Sequence, residues 1–275
     1  MLFRSPGTVK VRLAAVRSLH LTAGLPDPTA HTPRLGLVLA GLKRRYGTKE
    51  RRRPVTPRML SWLRAYLLQG SLASHDAALL WGAVALGWFF LLRASEYLGV
   101  GYTDQSKGLK GKDVILSCNG KPCKLHDLQA ATEITLHIRG SKTDIYNRGE
   151  TRHHFATGLD LCPVQAARNI FVCFPNRYQG GIEESEPLFR DDEGRPISRE
   201  AISALLVKAA RAVGEEPGDL KTHSLRFGGA SALWAAYKDA AVVKRFGRWA
   251  SDSFQTYLWD SKESSKGVAI SMATA

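Results

Sequence analysis

Residues 222–231 read "THSLRFGGAS", and their reading decides what the rest of the chain has to supply. His223 and Arg226 stand three apart, which on a helix puts both side chains on one face. A histidine can accept or hand on a proton, and an arginine fork matches the oxygens of a phosphate or carboxylate. A run of small residues follows, from Gly228 to Ser231. A lone H-x-x-R is a short pattern, and a capping histidine beside a surface arginine would look the same. The other residues of the chain settle between these two readings.

Composition sets the frame. With 275 residues, 44% hydrophobic and 23% charged, the chain is long enough for one large domain with a core, plus a smaller arm. The net charge of +14 is unevenly placed. Residues 1–53 hold 12 Lys and Arg against Asp27 and Glu50, whereas 54–275 hold 27 against 23 acids. A basic arm on a nearly balanced domain points to a polyanion as partner. Cys118, Cys123, Cys162 and Cys173 lack zinc-type spacing and read as reduced thiols of an intracellular protein, with "CNGKPC" a tight turn. "MLFRSPGT" has no long apolar run, so no signal peptide is expected. "AALLWGAVALGWFFLL" (77–92) is shorter than the roughly 20 residues a membrane span needs and reads as a buried core helix.

Periodicity places the elements. Val9, Leu13, Val16 and Leu19 recur at helical spacing in a first helix over 8–23, and a second, basic helix covers 34–47. "KERRRPVTP" (49–57) is an exposed linker, so the boundary falls after 53: a helical arm over 1–53 and the main domain over 54–275. Thr56 with Pro57 reads as a helix start, and Ser74 opens the apolar helix, which is expected to run on through Arg93 and Glu96. Residues 112–118, 131–139 and 151–157 read as strands, with 140–149 as a hairpin tip. Helices are expected from Pro163, after Ser198, around His223 and through "KDAAVVKRFGRW". The fold class is mainly α with a small antiparallel β-sheet.

Four features converge on a phosphate. Arg93 precedes Glu96 by one turn, so a packed arginine would be oriented by a carboxylate. Lys142 sits at the hairpin tip, and His223 and Arg226 share their helix face. Trp249 lies eight residues before Tyr257. A phenol, with an ordinary pKa of about 10, is a poor nucleophile until cations and a proton acceptor surround its target. In this order the set resembles the tyrosine recombinase, or phage-integrase, family. The matching pieces are "FFLLRASEYLG" (89–99), "SKTDIYNRGETR" (141–152), "HSLRFGGAS" (223–231) and "FGRWASDSFQTYLW" (246–259). Their wording is similar to the crypton and DIRS-like recombinases of eukaryotic mobile elements. The resemblance spans about residues 54–260.

The resemblance implies a catalytic domain preceded by a partial, helical core-binding (SAM-like) arm. It implies that Tyr257 attacks a DNA phosphodiester, leaving a 3′-phosphotyrosyl link and a 5′-hydroxyl. Arg93 and Arg226 would clamp the phosphate oxygens, Trp249 would donate its indole N–H, His223 would assist the phenol proton and Lys142 would protonate the leaving oxygen. Glu96 would support Arg93. Double-stranded DNA is the implied partner, contacted by the arm through Lys10, Arg12, Arg17, Lys43, Arg44, Arg45, Arg51, Arg52 and Arg53, in a homotetramer on DNA. Neither cofactor nor metal is called for, no membrane association is implied, and the location is the nucleus in a eukaryote. Two departures are visible: Trp249–Tyr257 is one residue shorter than in many bacterial relatives, which puts Arg248 in competition for the aligned position, and the arm has about two helices instead of four or more. Tyr237 is set aside as nucleophile because it lies close to Arg226 and on an expected separate helix. A catalytically silent DNA-binding remnant is the second reading. A metal nuclease on His153, His154 and Asp160 is disfavoured because strand neighbours face opposite ways.

Overall fold

Thr56 and Pro57 start the main domain as the residue types dictate: the Thr56 hydroxyl accepts from the Met59 N–H at 3.3 Å, capping α3 (Pro57–Leu68). A computed structural model describes residues 6–46, 52–69, 74–98, 108–140, 144, 148–259 and 268–273. The chain divides into two units, Met1–Arg51 and Arg52–Ala275.

In the first unit, α1 (Pro6–Thr22) and α2 (Pro33–Tyr46) form a helical pair. The turn between them is tied by Asp27, whose carboxylate takes Arg17 Nε at 2.6 Å and the Thr29 N–H at 2.8 Å. These bonds hold Asp27 down at about 2. The expected apolar face of α1 is present but only partly covered: Val9 and Leu13 are half-buried, Val16 and Leu19 are 46% and 69% exposed, and no residue of either helix is buried. Two short helices offer each other too little surface to enclose a core.

The second unit is built around α4 (Ser74–Phe89), apolar on all sides and buried, as its sequence demands. α3, α6 (Pro163–Cys173) and α8 (His223–Tyr237) pack against it, and α7 (Arg199–Ala212), capped by Ser198, packs on α3. Among the described residues no helix is long and apolar enough to cross a membrane. The sheet has the order β2-β1-β3-β4, all antiparallel, from β1 (Val114–Cys118), β2 (Lys121–Pro122), β3 (Glu133–Ile138) and β4 (Glu150–Phe155). The turn of "CNGKPC" places Asn119 and Gly120 at φ 49° and 74°, the left-handed pair that a two-residue hairpin requires. Ile134, Leu136 and Ile138 face the core with period two, and His153 and His154 do face opposite ways. His153 Nδ1 meets Thr135 Oγ1 at 2.8 Å on the outer face, whereas His154 Nε2 meets the Phe89 carbonyl at 2.9 Å.

The small residues after Arg226 have a packing reason. A Cβ on Gly228 would lie 2.0 Å from the Val55 carbonyl oxygen, and one on Gly229 2.2 Å from that of Trp88. The backbone of α8 therefore touches both the end of α4 and the strand-like lead into α3, where Val55 N–H bonds the Ser224 carbonyl at 3.1 Å. This close approach carries His223 and Arg226 to the end of α4.

Two expectations about helices are corrected. The apolar helix stops at Phe89, and Arg93 is not inside it but begins a separate short helix, α5 (Ala94–Tyr97). Tyr237 is the last residue of α8, on the same helix as Arg226, and 64% exposed; distance along that helix, not a change of helix, separates it from Arg226.

Candidate active site

The end of α4 forms one wall of the site. Leu92 N–H bonds the Gly87 carbonyl at 3.0 Å and Leu91 N–H that of Trp88 at 3.4 Å, a Schellman closure with Leu91 left-handed at φ 50°. The chain re-emerges extended at Arg93, the N-cap of α5. Glu96 then reaches back: its Oε2 accepts from the Arg93 backbone N–H at 2.8 Å, and its Oε1 from Arg93 Nη1 at 2.7 Å. The carboxylate is buried, while the Arg93 side chain stays 20% exposed. Among the described residues its guanidinium makes no other hydrogen bond.

The end of α9 (Ala240–Phe246) forms the opposite wall with the same closure. Trp249 N–H bonds the Lys244 carbonyl at 3.0 Å and Arg248 N–H that of Arg245 at 3.3 Å, with Arg248 left-handed at φ 59°. Arg226 lies fully buried between the two ends. Its Nη1 donates to the Leu91 carbonyl and its Nη2 to the Gly247 carbonyl. Both are the negative ends of helices, which explains how the cation is tolerated with no carboxylate bonded to it. Trp249 covers the guanidinium at 4.3 Å from its ring centroid. Burial and the nearby charges of Arg93 and Arg248 push the Arg226 pKa below its ordinary value, against the opposing pull of Glu96 and Tyr257.

Tyr257 closes the top. It ends a 3₁₀ turn, Asp252–Tyr257, whose start is capped by Ser251. Ser231, from the small run of α8, donates to the Tyr257 carbonyl at 3.2 Å and accepts from Trp259 N–H at 3.0 Å. Phe227 packs on the phenol at 4.6 Å between ring centroids, and Trp249 at 4.9 Å. The phenol oxygen lies 3.1 Å from His223 Nε2. Thus His223, Phe227 and Ser231, at i, i+4 and i+8 on α8, hold the tyrosine along its length.

Burial, then the cations Arg52, Arg226 and Arg93, push the His223 pKa down to about 4, so the imidazole is neutral at pH 7 and can accept a proton at Nε2. The sign for stability follows from linkage. An unfolded histidine, titrating near 6.5, takes up a proton that the folded one refuses between about pH 6.5 and 4. Stability from this group is therefore complete above pH 6.5 and falls as pH drops toward 4. An NMR titration is expected to place His223 near 4, and His223→Asn to flatten the stability slope across that window. A pKa above 6 would contradict the arrangement.

The structure thus brings Arg93, Glu96, His223, Arg226, Trp249 and Tyr257 together. Lys142 and Arg51 lie outside the described residues. Lys10, Arg12, Arg17, Lys43, Arg44, Arg45 and Arg53 are exposed, Arg17 pairing with Asp27, and Arg52 is half-buried beside Asp219. Asp160 pairs with Arg64 at 3.1 Å, far in role from any histidine pair. Among the described residues no cluster of three or more His, Cys, Asp and Glu is placed to hold a metal. Sequence reading passed over Ser231 and Phe227, and over a basic cavity of about 590 Å³ beside Trp249, lined in part by Arg148, Arg152, Lys244 and Arg245. Their signal was only the helical repeat from His223 and the charge density around "VKRFGRW".

A helical core on α4, a four-stranded antiparallel sheet and a tyrosine delivered over buried arginines make up the fold of the tyrosine recombinase catalytic domain. Among solved structures, the chain is similar to the XerH site-specific recombinase bound to palindromic difH substrate in a post-cleavage complex, with a TM-score of 0.55 and 16% identity over 85% of this chain and 56% of that one. It is also similar to the Tn1549 transposon integrase in complex with transposon right end DNA, with a TM-score of 0.55 and 14% identity over 98% and 80%. The XerA recombinase gives 0.51 and 11% over 94% and 73%. The chain thus spans a little over half the length of the XerH chain. No protein-family model matches it, and no curated protein does.

Proposed function

We propose that this protein is a DNA recombinase of the tyrosine type, breaking and rejoining DNA through a 3′-phosphotyrosyl intermediate. The observation that carries the reading is Tyr257, whose hydroxyl sits 3.1 Å from a neutral His223 and directly over the Arg226–Trp249 stack. His223 takes the phenol proton as Tyr257 attacks phosphorus. Arg93, Arg226 and the Trp249 indole N–H receive the charge that develops on the phosphate oxygens, the kind of preorganised stabilisation that dominates such reactions. Among the described residues that indole N–H makes no hydrogen bond, so it is available to an anion. Arg226 is covered by both rings, so the phosphate reaches it when Tyr257 and Trp249 part.

Lys142, on the link between β3 and β4, protonates the leaving 5′-oxygen in this reading. The basic arm residues and the cavity beside Trp249 hold the DNA backbone, which positions the duplex without reading its sequence. The four quoted motifs support placement in the crypton and DIRS-like branch, with assembly as a tetramer on DNA and a nuclear location.

The test is a nicked DNA duplex taken from the flanks of the protein's own gene, incubated with the protein in EDTA and resolved on a denaturing gel. A covalent protein–DNA adduct is expected from the native chain and none from Tyr257→Phe. An adduct that survives the substitution moves the nucleophile elsewhere. A native-gel shift with no adduct from the native chain leaves a DNA-binding protein without strand chemistry.

A further inference from the structure

Arg248 is the residue whose placement the proposed chemistry does not explain. It occupies the left-handed position of the α9 closure, φ 59°, which in such closures is usually glycine. A glycine is present one residue earlier, and there for a separate reason: a Cβ on Gly247 would lie 1.6 Å from the Trp249 ring. The strained position has therefore been filled by an arginine with its side chain turned inward, 4% exposed. Its Nη2 donates to Glu96 Oε2 at 2.6 Å and to the Leu91 carbonyl at 3.3 Å, and its Nη1 to the Phe90 carbonyl at 3.2 Å. It does not stand where Trp249 stands; it only borders the cavity beside Trp249, with its guanidinium turned toward Glu96.

Glu96 is shared. One oxygen serves Arg93 Nη1, and the other serves the Arg93 backbone and Arg248. A carboxylate facing a single arginine favours the two-point fork, which would draw both terminal nitrogens of Arg93 onto Glu96. Arg248 holds Oε2 away from that fork, so the second Nη of Arg93 stays unbonded at the exposed edge. We infer that Arg248 is a positioning residue: by competing for Glu96 it keeps the Arg93 guanidinium open to an oxyanion. The inference rests on the phosphate-clamping role of Arg93 and deepens it.

Glycine is the discriminating substitution, because it suits the left-handed backbone and preserves the helix closure while removing the guanidinium. Orthovanadate, an inorganic mimic of phosphate and its five-coordinate state, serves as probe on the free protein by calorimetric titration. Arg248→Gly is expected to weaken vanadate binding at least tenfold, and Arg248→Lys to recover most of the loss, because an ammonium can still occupy Oε2. The double variant Glu96→Gln/Arg248→Gly is expected to be no weaker than Glu96→Gln alone, since both act through one carboxylate. A role confined to the helix end would leave vanadate affinity of Arg248→Gly within twofold, which overturns the inference, as does strict additivity in the double variant. Adduct formation on nicked DNA reports separately on the recombinase reading. No adduct from the native chain, with vanadate affinity still falling in Arg248→Gly, rejects strand transfer and keeps the role of Arg248.

Discussion

Arg226→Lys is expected to slow covalent adduct formation on nicked DNA by about 10²–10³-fold, the cost of removing a preorganised donor from a developing oxyanion, with DNA affinity changed only a few-fold. Lysine keeps the charge but loses the geometry. The arginine fork spans two carbonyls, Leu91 on the α4 end and Gly247 on the α9 end, while its flat face lies under Trp249. A single ammonium cannot bridge both ends and stack at once. The fork is the tie between the two walls and, in the proposed reading, also the clamp for the phosphate. Single-turnover rates on a nicked duplex, beside binding by anisotropy, separate the two quantities. A rate within tenfold of native would mean that charge alone suffices and that the fork is structural.

Glu96→Ala is expected to produce the largest loss of stability of any single change at the site, about 3–5 kcal/mol, as for other broken buried ion pairs. Among the described residues Glu96 is the only carboxylate hydrogen-bonded to Arg93 or Arg248; it and Arg248 are buried, and Arg93 is mostly so. Without it three guanidiniums face one another across the site, and burial of Arg226 and Arg248 already disfavours their charged forms. At roughly 2–4 °C per kcal/mol for a domain of this size, the melting temperature falls by about 10 °C. Glu96→Gln keeps an acceptor for Arg93 and falls less. Sulfate is expected to restore the alanine variant more than it raises the native protein, because an anion in the site replaces the lost charge. A drop below about 1 kcal/mol would show that the arginines repel one another less than their burial implies.

How much of this was legible from residues alone differs from element to element. The face shared by His223 and Arg226 was, because i and i+3 coincide on any helix whatever surrounds it. So were the alternation of β3, the Asn119–Gly120 turn and the Thr56 cap, each of which depends on a few neighbouring residues. The order of Arg93, Lys142, His223, Arg226, Trp249 and Tyr257 pointed to one kind of chemistry before any fold was at hand. The break after Phe89 was not legible. "FFLLR" carries neither glycine nor proline, and the left-handed turn at Leu91 is sustained by packing against α8 and by arginines from distant elements. Nor was the pairing of Arg248 with Glu96, across 152 residues of sequence. Local spacing determined which side chains could act together, since backbone geometry repeats every few residues. Only the tertiary structure decided which of them share a carboxylate, because contacts so far apart along the chain are set by packing and by the need to satisfy every buried charge.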